Sequence, residues 1–71
     1  MAGGYMKIAM ARTNDDRYEA DNGFVLAREY GKTPNGNPMG GRWVLRDDKR
    51  NMVDFDQYSN DIAERHNLRL H

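Results

Sequence analysis

Gly41 to Leu70, GRWVLRDDKRNMVDFDQYSNDIAERHNLRL, is the stretch on which the architecture turns. It holds the single Trp of the chain, a hairpin pattern and a well-signalled helix. Arg42–Arg46 places Trp43 and Leu45 on one face and Val44 on the other, as a strand does. Asp47-Asp48-Lys49-Arg50-Asn51 has the composition of a tight connection, with Asn51 suited to a left-handed conformation. Met52 to Asp54 is expected to pair back as a short strand. Asp54 then reads as a helix cap with Gln57 three positions on, an Asp-x-x-Gln variant of the capping box. Phe55, Tyr58 and Ile62 recur at helical spacing. Asp56 sits at the positive end of the helix dipole, Arg65 and His66 at the negative end, and Asp61 pairs by spacing with Arg65. Asn67 can close the helix in left-handed geometry, with Leu68 folding back on Ile62 or Ala63.

Upstream, residues 1–4 (MAGG) read as a flexible start. Tyr5–Arg12 alternates as a first strand, with Met6, Ile8 and Met10 on one face. Residues 13–22 (TNDDRYEADN) are polar and turn-rich, and fit a plain loop or one helical turn capped by Thr13. Gly23–Tyr30 is the next strand, with Phe24, Leu26, Arg28 and Tyr30 on one face and Val25, Ala27 and Glu29 on the other. Residues 31–41 (GKTPNGNPMGG) hold both prolines and four glycines, which breaks any ladder and predicts a long exposed loop.

The expected fold is α+β: a small antiparallel sheet of three to four strands with one C-terminal helix packed on one face, in the order β-β-β-β-α. Residues 1–71 form a single small domain. A chain this short buries only about 60% of its unfolded surface. With no cysteine to form a disulfide or a thiolate metal site, oligomerisation is the remaining way to enlarge the core. Four strands span about 19 Å, and one helix about 10 Å across covers half of one face. Both faces carry apolar side chains, so a second copy is the expected cover and the chain is expected to be a homodimer.

Eleven basic and eleven acidic residues give a formal charge of zero. Residues 28–50 are net basic between two acidic ends. Such a layout suits protein contacts better than a nucleic-acid duplex, whose binders carry a basic excess. Absence of cysteine fits the cytoplasm, and no apolar run approaches the length of a membrane span.

Chemical motifs fail on spacing. Gly31-Lys32-Thr33 resembles the end of a phosphate loop, but Leu26 holds the earlier glycine position and Pro34 blocks the helix that must follow. Asp54, Asp56 and Asp61 lack the turn glycine and closing Glu of a calcium loop. His66 stands two residues from Glu64 and two turns from Ser59, neither of which reaches it as a catalytic partner. No catalytic residue, metal or cofactor is expected, and the chain reads as a non-enzyme. The expected function is that of a small accessory or inhibitory protein, a homodimer that binds another protein through Lys32, Asn35, Asn37, Met39 and Arg42. The alternative is a nucleic-acid-binding module that uses Arg28, Tyr30, Lys32, Arg42 and Arg46 as a basic, aromatic platform.

Overall fold

A computed structural model describes residues 7–37 and 40–71. Its strands are β1 (Ile8–Asn14), β2 (Arg17–Ala20), β3 (Val25–Glu29), β4 (Arg42–Arg46) and β5 (Met52–Asp56), followed by helix α1 (Ser59–Arg65) and strand β6 (Leu68–Leu70). All six strands join one sheet in the order β5-β4-β3-β2-β1-β6. Neighbours are antiparallel except β1 and β6, which run parallel with Ile8 opposite Leu68 and Met10 opposite Leu70. The sheet curls into a half-barrel, and α1 carries the chain from one edge strand to the other. None of the described helices is long and apolar enough to cross a membrane.

The expected three- to four-stranded antiparallel sheet is therefore corrected to six mixed strands. Two of these fall where none was expected. In β2, Arg17-Tyr18-Glu19-Ala20 alternates, and Tyr18 and Ala20 pack on the core while Arg17 and Glu19 face solvent. Its turns are closed by Asx bonds: Asn14 Oδ1 accepts from Asp16 N–H at 2.8 Å, and Asn22 Oδ1 from Phe24 N–H at 3.0 Å. Gly23 at φ 93° completes the second turn, where a Cβ would stand 2.6 Å from that of Asp48. In β6, Leu68-Arg69-Leu70 follows Asn67, which adopts φ 55° as expected of a helix-closing residue. Three residues are too few to signal a strand by pattern alone.

The helix also starts later than expected. Asp54 and Asp56 belong to β5, and Tyr58 stands at the N-cap with no side-chain cap bond. The alternation Val53-Asp54-Phe55-Asp56 fits a strand with two unlike faces, and pairing with β4 outweighs the local capping signal. In the β4–β5 turn, Arg50 takes the left-handed conformation (φ 68°) that was expected of Asn51. Asp47 Oδ1 accepts from Lys49 and Asn51 N–H, each at 2.9 Å, which fixes that turn. Of the first strand as expected, Tyr5 and Met6 lie outside the described residues, as do residues 1–4.

The core lies between the inner sheet face and the helix. Met10, Leu26, Leu45, Ile62, Ala63 and Leu68 form one buried cluster, flanked by Tyr18, Phe24, Trp43 and Leu70. Every strand except β5 supplies an apolar side chain to it. Truncation of a fully buried side chain here is expected to be costly. Leu45→Ala should destabilise by about 3 kcal/mol in urea unfolding, whereas Phe55→Ala, outside the core, should change stability by less than about 1 kcal/mol.

Candidate interaction surface on the outer sheet face

On the outer face, the ladder sets Ala27 opposite Val44 and Val44 opposite Phe55. Leu45 pairs with Asp54 but Arg46 pairs with Met52, so Val53 is an extra residue, a bulge in β5. The bulge matters. Met52 and Phe55 are three apart and would otherwise project from opposite faces, yet both pair with outer-face residues of β4. Met52, Val53 and Phe55 so form an apolar strip, with exposures of 49%, 42% and 48%.

Beside this strip the face is roofed by charge. Arg46 donates from Nε and Nη2 to the two carboxylate oxygens of Glu29 at 2.8 and 2.9 Å, a two-pronged bond. The register puts the Ala27–Val44 pair between these partners, so the fork lies across Val44 and leaves it 2% exposed. The hydrogen bond from Arg46 holds the Glu29 carboxyl below its ordinary pKa against a smaller opposing effect of burial. Arg42 has its guanidinium 4.5 Å from the Phe55 ring centre. Next to the fork, a depression of about 610 Å³ has Val25, Ala27 and Val44 as its floor and Arg17, Glu29, Arg46, Asp47, Asp48 and Arg50 as its walls. Such a dish has an apolar base and a rim of both signs.

The sequence-derived partner set is grouped around the β3–β4 connection. Within the segment 31–41, Thr33 N–H donates to Asn37 O, and Gly36 N–H to Thr33 O, each at 2.8 Å. A small closed turn thus forms over residues 33–37. Lys32, Asn35 and Asn37 are exposed on it, and Arg42 is exposed at its base. Met39 lies outside the described residues. The nucleic-acid set is divided between faces. Arg28 pairs with Trp43 on the inner side and lies over the Tyr30 ring at 5.5 Å, while Arg42 and Arg46 are on the outer side. Arg46 is already committed to Glu29. Gly41 permits the Arg28–Tyr30 stack, because a Cβ there would come within 2.7 Å of both side chains. The strip itself was missed in the sequence, where Phe55 was assigned to the helix. The period-two run from Val53 to Asp56 was the signal for it.

The inner side of β5 carries a different cluster. Arg65 donates from Nε to Asp54 Oδ2 and from Nη1 to Asp56 Oδ2, both at 2.9 Å. His66 Nε2 lies 2.8 Å from the same Asp54 oxygen. The carboxylates expected to cap the helix and complement its dipole instead tie its last turn to the strand, and Arg65 binds across to β5 rather than to Asp61. The two carboxylates converge on a guanidinium, and no group of His, Asp or Glu suited to holding a metal occurs among the described residues.

Hydrogen bonds from Arg65, then from His66, lower the Asp54 pKa from 3.8 to about 2. A carboxyl depressed in the folded state contributes stability above its unfolded pKa and loses it as pH falls toward the folded value. Acid unfolding should therefore show a steep loss between about pH 4 and pH 2, and Asp54→Asn should flatten that limb in a urea series across pH. No family model matches the chain, and neither the curated proteins nor the solved structures contain a match.

Proposed function

We propose that the protein is a small binding protein without catalytic activity that works through protein contacts, pairing with a second copy by the outer face of β4 and β5. The observation that carries this reading is the strip of Met52, Val53 and Phe55 along the bulged edge strand β5, each between two-fifths and half exposed. A contiguous apolar strip rimmed by polar groups is the usual mark of a contact surface. A two-fold pairing would set the strip against itself beneath the Arg42 and Arg46 side chains. The closed turn at residues 33–37 and the residues flanking it offer exposed Lys32, Asn35, Asn37 and Arg42 to a further protein. Charge balance supports the same reading: the Arg46–Glu29 and Arg17–Glu19 pairs satisfy cations that a phosphate backbone would need free.

Light scattering tests the pairing. At tens of micromolar the protein is expected to be a dimer, and Phe55→Asp, which alters an exposed position, is expected to yield a folded monomer. A strictly monomeric wild-type protein would remove the homodimer from this account. For the second contact, replacing residues 31–41 by a short turn should abolish capture of a partner that the intact chain retains.

A further inference from the structure

The sheet has two edges, and they are chemically unlike. On β5, both backbone groups of Phe55 are engaged by side chains: its N–H donates to Asp54 Oδ1 at 2.8 Å, and its carbonyl accepts from Arg65 Nη2 at 3.5 Å. Side chains that occupy an edge in this way oppose addition of another strand.

The β6 edge is open. Ile8 N–H donates to Asn67 O at 2.9 Å and His71 N–H to Met10 O at 3.1 Å. In a parallel ladder, alternate residues of a strand bond to the same neighbour. Arg69, midway between those bonds, is thus the β6 residue that faces β1 with both its groups, and the N–H and C=O of Leu68 and Leu70 point away from β1. No partner for them occurs among the described residues.

The side chains beside this edge define what can fill it. On the outer face, Lys7, Ala9, Arg69 and His71 line a depression of about 460 Å³. Neither Lys7 nor Arg69 forms an ion pair among the described residues. On the inner face, Ile8 is left 36% exposed and Leu70 half-buried. One side of the edge is cationic and the other apolar.

We infer that the β6 edge accepts an extended segment of another protein as a seventh strand, with acidic residues at alternate positions facing Lys7 and Arg69 and apolar residues between them covering Ile8 and Leu70. Backbone bonds to Leu68 and Leu70 supply affinity, and the alternating side chains supply selection. The inference rests on the reading of the chain as a protein-binding protein, and is independent of the homodimer.

The test uses the full chain and a fluorescein-labelled peptide that alternates Val and Glu, with an alternating Val–Lys peptide as control. The Glu peptide is expected to raise anisotropy at low salt, to slow amide exchange at Leu68 and Leu70, and to lose about tenfold or more in affinity with Arg69→Glu. Arg69 is exposed, so that variant should keep its circular dichroism and melting point. Absence of binding at low salt, equal binding of the Lys peptide, or unchanged exchange at Leu68 and Leu70 would each overturn the inference. Light scattering of the same samples separates the two proposals: a monomer that binds the Glu peptide retains the seventh strand and removes the homodimer, and a dimer that ignores it does the reverse.

Discussion

The segment 57–67 has to carry the chain from one edge of the sheet to the other, and the architecture depends on how it does so. Six flat strands would hold their outer strands about 24 Å apart. A helix of seven residues is only about 10 Å long. With Ile62 and Ala63 buried against the inner face, the helix cannot lie stretched across the full width of a flat sheet. Curling the sheet brings the edges toward each other and lets one short helix serve both. Arg65 then locks the arrangement, because its guanidinium joins the last helical turn to Asp54 and Asp56 on β5 just before the chain leaves for β6. Leu68 completes it by entering the core as the first residue of the parallel strand.

The same geometry separates the two faces by chemistry. The inner face is closed by aliphatic packing around Leu26 and Leu45. Among the described residues no element lies over the outer face, which is finished by its own side chains, with the Glu29–Arg46 fork over Val44 and Arg42 over Phe55. Ion pairs this exposed contribute little to stability. Their larger consequence is that the Glu29–Arg46 fork shields the apolar floor at Val44, whereas along β5 only Phe55 has a guanidinium over it and Met52, Val53 and Phe55 remain 49%, 42% and 48% exposed. A chain of zero net charge thus displays local patches of definite character: apolar along β5, of mixed sign around the dish, and cationic beside β6.

Which side chains share a face was largely legible in the sequence. The opposition of Leu26, Trp43 and Leu45 to Val25, Ala27 and Val44 follows from alternation alone, and the left-handed closure at Asn67 follows from residue type. What was hidden depends on pairing between distant segments. Arg17-Tyr18-Glu19-Ala20 carries one aromatic and one Ala, too weak a stripe to separate from a loop until β1 and β3 are placed on either side of it. Leu68–Leu70 becomes a strand only because Ile8–Met10 offers it a free edge. At Asp54 local and tertiary signals conflicted: a good capping pattern lost to a ladder whose partner, Trp43–Arg46, lies across a tight turn. The apolar strip was concealed by the same conflict, since Phe55 on a helix and Phe55 on a bulged strand face different surroundings. The basic pairing of Lys7 with Arg69 was not readable, because it exists only once the chain ends are brought side by side.

The parallel union of β1 and β6 is the claim on which the curl, the helix placement and the unequal edges all rest. Interstrand nuclear Overhauser contacts between residues 8–10 and 68–70 test it most directly. The account predicts contacts that run in step, Ile8 with Leu68 and Met10 with Leu70. Contacts in the opposite order, or sequential amide contacts that continue the helix through residues 66–70, would contradict it.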